Sequence, residues 1–237
     1  MVAHESQLHP VPEAWTDEMA VMVEPAACAV HGALAADLTP GAPVVVLGAG
    51  TLGLLTIAAL SQFTSASPII AVAKHPDQRA LATALGADMV VAPDELRRAV
   101  RRVTGSMAFG DGTIGQVTNG VPSVIDCVGS QASLTDSIAV LKPGGDLTLV
   151  GMAGSVEIDF TPVWHKEISI HGAYAYGVEP KVDGRRTFDL AMELVEAKDL
   201  GRLVSATYPL SRYTEAVAHA ANAGSRGAVK VAFDLRA

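Results

Sequence analysis

No Cys-x-x-Cys pair occurs anywhere in these 237 residues, and only two cysteines, Cys28 and Cys127, are present. That excludes a disulfide framework and the paired-cysteine type of zinc site. Both cysteines lie among apolar neighbours and read as small core residues of a protein kept in a reducing compartment. Histidine is scattered: His4, His9, His31, His75, His165, His171 and His219 contain no i, i+4 pair. A zinc site needs three or four ligands converging in space, and the sequence assembles none, so no metal ligand is assigned. Charged residues are only 18% and the net charge is −8. The largest basic cluster, Arg97, Arg98, Arg101 and Arg102, sits at helical spacing as a solvated face, so nucleic acid is not an expected partner. No apolar run approaches about 18 residues, so no membrane span is expected. The first residues lack a charged-then-apolar signal pattern, and the cytoplasm is the expected compartment.

What is present is an apolar content of 49%, enough for a packed core. Short β-branched runs alternate with amphipathic stretches from residue 40 onward. Strands are expected at 43–47, 69–73, 88–91, 123–127, 146–150 and 168–173. Helices are expected at 51–63, 76–85, 94–103 and 131–141, with Gly86 as the left-handed residue after the second. Pro143-Gly144-Gly145 should stop the last of these helices and turn the chain into a strand. Residues 105–120 show no period and read as a surface loop. Apolar strands separated by helices imply an α/β fold, a doubly wound parallel sheet over residues 39–175. The ends stand apart from it. Residues 1–38 read as a polar start and a helix, 17–38, interrupted by Pro25. Residues 176–237 read as helices near 184–197 and 211–223 and a strand at 228–233.

The run VVVLGAGTLGLL, residues 44–55, places Gly48, Gly50 and Gly53 between a strand and a helix. In such a loop the first glycine permits the tight turn, the second lets a pyrophosphate approach the backbone, and the third lets the helix pack on the strand. The N–H groups and dipole at Thr51, Leu52 and Gly53 would hold the anion. A loop of this kind also fits a plain turn or an S-adenosylmethionine enzyme; the strand–helix context favours a dinucleotide. At the end of the second strand, Ala73-Lys74-His75-Pro76-Asp77-Gln78-Arg79 lacks the acidic residue that would take the ribose hydroxyls of NAD. Lys74, His75 and Arg79 suit a 2′-phosphate, which favours NADP over NAD. Solvated helix-start charges, with Asp77 serving the ribose, are the alternative.

Five motifs in order, MVEPAACAVHGAL, PGAPVVVLGAGTLGLL, ALGADMVV, VIDCVGS and LKPGGDLTLVGMAG, resemble the zinc-type medium-chain dehydrogenase family. The closing stretch from Gly201 is similar to that family's C-terminal segment, so the resemblance covers almost the whole chain. It implies an NAD(P)-dependent oxidoreductase that moves a hydride between nicotinamide and a small alcohol or carbonyl substrate. It implies that Gly48, Gly50 and Gly53 hold the pyrophosphate, and that Lys74, His75 and Arg79 fall where the cofactor is chosen. Cys127, Val128 and Gly129, and then Val150, Gly151 and Met152, follow strand ends beside the nicotinamide. Lys230 falls where relatives set a basic residue against the pyrophosphate. Glu24 matches a residue that lies at the zinc in some relatives. Val128, Val150 and Met152 also fit core positions, Lys230 a surface charge, and Glu24 a plain helix charge.

The resemblance also implies what precedes this segment in the family: most of the catalytic domain, with its zinc ligands. Residues 1–38 then read as a remnant of that domain and the interdomain helix, and 39–175 as the coenzyme domain. Residues 176–237 return to the catalytic domain. Zinc is expected in full-length relatives, with its ligands missing here, and alone the chain should bind cofactor but turn over poorly. A non-catalytic nucleotide-binding or subunit-interaction module is the other reading, with an exposed apolar patch expected around residues 19–23 and 26–30. A short-chain reductase is excluded, since none of Tyr174, Tyr176, Tyr208 and Tyr213 has lysine four residues later. Trp164 and Tyr176 are too few to define a substrate. The strand at 168–173 is the edge through which relatives form homodimers.

Overall fold

The structure, a computed structural model, describes residues 2, 4–109 and 116–236. It begins with helices α1 (Asp17–Val21) and α2 (Val23–Ala35). Alternation follows: β1 (Val44–Leu47), α3 (Thr51–Phe63), β2 (Ile69–Val72), α4 (Pro76–Leu85), β3 (Met89–Val91) and α5 (Leu96–Thr104). A two-residue ladder, β4 (Ala108–Phe109) with β5 (Gln116–Val117), precedes β6 (Val121–Asp126), α6 (Gln131–Val140) and β7 (Leu141–Leu149). Then come α7 (Thr161–His165), β8 (Ser169–Gly172), β9 (Val178–Glu179), β10 (Arg185–Arg186) and α8 (Thr187–Ala197). The last elements are β11 (Val204–Pro209), α9 (Tyr213–Ala221) and β12 (Lys230–Asp234).

Three valines and a leucine make β1, and all four residues are buried. Val44 and Val46 enter the core beneath α2, α3 and α8, while Val45 and Leu47 enter the core beneath α5 and α6. A strand buried on both faces requires helices on both faces, and parallel pairing with crossover helices supplies them. The six-stranded sheet has the order β3-β2-β1-β6-β7-β8, and every pairing is parallel. This is the expected doubly wound sheet, with β1 and β6 flanking the point where the strand order reverses. β11 and β12 form a separate parallel pair.

Several local expectations are corrected. The N-terminal helix breaks at Met22, not at Pro25. Pro25 is the third residue of α2, where a backbone N–H would have no helical partner, so proline is tolerated. The patch expected around residues 19–23 and 26–30 is not exposed as a whole. Met22, Ala26, Ala27, Ala29 and Val30 are fully buried, and only Val21 of the stretch stands out as an exposed large apolar side chain. The cause is close packing of α2 against α3 and α8.

Helix α6 ends before Pro143-Gly144-Gly145, and β7 runs through them. Val121 pairs with Leu141 and Ser123 with Asp146, so the intervening residues bulge out. Gly144, at φ +68°, donates its N–H to the Lys166 carbonyl across the bulge. Residues 110–115 of the expected 105–120 loop lie outside the described residues; the rest holds the β4–β5 ladder, not plain loop.

Candidate functional site

The crevice between the C-terminal ends of β1 and β6 is bounded by α3 on one face of the sheet and α6 on the other. In open α/β sheets ligands bind at such a reversal point. Gly48 sits there at φ +88°, a conformation that disfavours any side chain, and its N–H donates to the Val72 carbonyl. A Cβ on Gly48 would stand 2.5 Å from Val128 Cγ2. Gly53 meets the same loop from the helix: a Cβ there would stand 1.8 Å from the Gly48 carbonyl oxygen. Gly50 differs from both. It is the N-cap of α3, carries no capping side chain, and has open space where its Cβ would be. The first turn of α3, Thr51, Leu52 and Gly53, thus presents its N–H groups at an uncapped helix start, which suits an anion.

The Thr51 hydroxyl is already committed: it donates to the Val229 carbonyl at 2.8 Å. That bond sets the start of β12, and with it Lys230, beside the glycine loop. The Lys230 side chain is partly buried. At the end of β2, Lys74 is exposed, while Arg79 folds back so that its Nε donates to the Ala73 carbonyl at 3.0 Å. His75, the N-cap of α4, lies under Gly224, whose Cβ would stand 2.9 Å from His75 Nε2. Lys74, His75 and Arg79 therefore share one strand end, but Arg79 also holds the backbone there.

On the other side of the crevice, the turn after β6 is held by one carboxylate oxygen. Asp126 Oδ1 accepts the N–H groups of Val128 (2.7 Å) and Gly129 (3.0 Å). Gly129 is left-handed at φ +72° and packs on Gly151 and Ala153. The Asp126 carbonyl accepts from Val150 and Gly151, tying the ends of β6 and β7 together. The predicted groups 127–129 and 150–152 are thus brought together, with different exposures. Val128 is 48% exposed at the crevice and Met152 is 97% exposed. Val150 is buried against α2, where a Cβ on Gly32 would stand 2.5 Å from its Cγ2. Burial pushes the Cys127 thiol up to about 12, with its sulfur 3.6 Å from Thr56 Oγ1.

Glu24 is exposed on the first turn of α2. The Cys28 thiol, one turn on, donates to its Oε1 at 3.5 Å. Burial, then the Glu24 charge, pushes that thiol up to about 11. Cys28 is therefore not a plain core residue but a half-buried donor to a carboxylate. The residues present do not fit a zinc ion: among those described, no three His, Cys, Asp or Glu side chains group to hold a metal. Trp164 is largely exposed on α7, and Tyr176 stacks edge-on against Phe188. No helix among the described residues is long and apolar enough to cross a membrane.

Sequence reasoning missed Asp126 and the segment from Gly224 to Val229. An aspartate followed three residues later by glycine is a turn signal that could have identified the first. The second is visible only as a tertiary contact.

A parallel sheet in this strand order, with a glycine loop at its reversal point, is a Rossmann-type fold. The sequence model described as "Zinc-binding dehydrogenase" matches residues 51–197, and the chain belongs to that family. It is 28% identical to L-idonate 5-dehydrogenase of Vitis vinifera over 99% of this chain and 61% of that protein. It is 28% identical to sorbitol dehydrogenase of Arabidopsis thaliana over 95% of this chain and 58% of the relative. The chain thus spans about 60% of the length of the curated relatives it matches. Among solved structures it resembles a zinc-binding dehydrogenase from Sinorhizobium meliloti bound to NADP, with TM-score 0.71 and 27% identity. That match covers 93% of this chain and 60% of the other.

Proposed function

We propose that this chain is the coenzyme-binding part of an NAD(P)-dependent oxidoreductase, with NADP the preferred cofactor and a small alcohol or carbonyl compound the substrate. The observation that carries the reading is the loop at the sheet's reversal point. Gly48 and Gly53 are locked by contact, while Gly50 alone faces open space at an uncapped helix start. A diphosphate fits that cradle, because free N–H groups and the helix dipole converge on it. NADP supplies hydride transfer when bound. The chain's own part is to hold the pyrophosphate at Gly48–Gly53 with Lys230 beside it, and to offer Lys74, His75 and the terminal N–H groups of Arg79 to the 2′-phosphate. Cys127–Gly129 and Val150–Met152 would border the nicotinamide, with Val128 the apolar wall exposed there.

The division at residues 1–38, 39–175 and 176–237 follows from the same reading. The first and last segments would return to a catalytic lobe. Glu24 would face that lobe, and a complete zinc ligand set would require residues outside those described. This part alone is therefore expected to bind cofactor and turn over alcohol poorly. β8, an edge strand of the sheet, is the surface proposed for a homodimer, which would be isologous. The cytoplasm is the compartment that suits two free thiols.

Thermal unfolding with NADPH, NADH or S-adenosylmethionine at equal excess tests the reading. A ligand that binds the folded chain raises the midpoint by mass action. A rise with NADPH, a smaller one with NADH and none with S-adenosylmethionine is expected. A rise with S-adenosylmethionine alone would overturn the assignment.

A further inference from the structure

We infer that Arg226, on the C-terminal segment, is a specificity-determining residue that closes over the 2′-phosphate of NADP from the side opposite Lys74. The inference deepens the NADP reading and rests on it.

The segment from Gly224 to Lys230 runs along the cofactor face of the sheet. Its contacts mark the path. Gly224 lies against His75 and Gln78, with its Cβ position 2.7 Å from His75 Cδ2 and 3.1 Å from Gln78 Nε2. Gly227, left-handed at φ +68°, lies against Asp77, its Cβ position 2.6 Å from Oδ2. The Val229 carbonyl then accepts the Thr51 hydroxyl at the start of α3. The chain therefore passes from the end of β2 to the glycine loop, from where an adenosine ribose would sit to where its pyrophosphate would.

Arg226 stands between the two glycine contacts. Its backbone is fixed there by N–H donation to the carbonyls of Asn222 and Ala223. The residue is exposed, and among the described residues its guanidinium forms no ion pair. Lys74, at the end of β2 next to His75, is also exposed and, among the described residues, in no ion pair. Arg79, by contrast, spends its Nε on the Ala73 carbonyl. The Arg79 guanidinium is thus partly committed to its own strand end, and the C-terminal segment brings a second one. A planar fork of N–H donors suits a phosphate dianion better than a point charge does. Asp77 is turned toward Gly227, which places its carboxylate under the segment.

Fluorescence titration of the full chain and Arg226→Ala with NADPH and NADH tests this. Loss of a bidentate phosphate contact is expected to weaken NADPH by about tenfold or more while NADH stays within about twofold. Arg226→Lys should recover part of the NADPH affinity, and its NADH affinity should not move. Equal weakening of both cofactors, or no change in either, would overturn the role of Arg226 while the dinucleotide reading stands. If the unaltered chain binds neither cofactor, the dinucleotide reading fails and this inference falls with it.

Discussion

Gly48 and Val128 meet across the reversal point of the sheet, so closely that a methyl group on the first would stand 2.5 Å from Cγ2 of the second. The contact fixes the floor of the crevice from both strands. The three glycines of the loop consequently have separable roles. Gly53→Ala drives a methyl into the Gly48 carbonyl and should cost about 1–3 kcal/mol by overpacking. For a chain of this size that is a fall in Tm of about 2–4 °C for each kcal/mol. Gly48→Ala should also destabilise, since it adds a clash to a left-handed backbone. Thermal unfolding of the two variants checks both outcomes.

Thr51 joins the glycine loop to the C-terminal strand through its bond to the Val229 carbonyl. Thr51→Val removes one neutral hydrogen bond, a loss of about 0.5–1.5 kcal/mol. The loss should be local. Amide exchange in β12 should quicken relative to β1 and β6, as hydrogen-exchange mass spectrometry would show.

Both thiols titrate well above the ordinary cysteine range, Cys28 near 11 and Cys127 near 12. Neither should react quickly with a disulfide reagent at pH 8, because the thiolate is the nucleophile. Glu24→Gln removes the negative charge beside Cys28 and lowers its pKa. Its thiolate fraction at pH 8 rises, so Cys28 should react faster in the variant while Cys127 stays slow. Labelling with peptide mapping separates the two.

Lys166 is buried, with Nζ donating to the carbonyls of Ala139 and Leu141, and burial lowers its pKa. The unfolded chain therefore holds this proton to higher pH than the folded one. Between the lowered value and the ordinary lysine range, U carries more protons, and stability contributed by this group rises with pH. Lys166→Met should abolish that alkaline rise. Urea unfolding at neutral and alkaline pH reads the effect.

The sheet was legible because β1 and β2 are apolar on both faces and helical stretches separate the strands, a pattern that a covered parallel sheet satisfies. The glycine loop was legible because each glycine answers a distinct steric demand, and helix α3 spans the expected residues. Other features depended on contacts distant in sequence. Residues 19–23 and 26–30 read as an exposed apolar patch, but α8, more than 150 positions later, packs on α2 and covers most of it. That Arg79 also spends its Nε on the Ala73 carbonyl, with its terminal N–H groups left to face a ligand, is visible only in the fold. Arg226 carries no motif, and its place beside His75 and Asp77 follows from two glycines that pack there without side chains.

Gly50 offers the most direct test of the central claim, because its Cβ would meet nothing in the protein. The measurement is a fluorescence titration of the chain and of Gly50→Ala with NADPH, with Tm recorded for each. Saturable binding by the unaltered chain, weakened about tenfold or more in a variant of unchanged Tm, is the expected result. Equal NADPH affinity in the two proteins would contradict it, and so would no binding by a folded chain. Either would make the loop a turn and not a cradle.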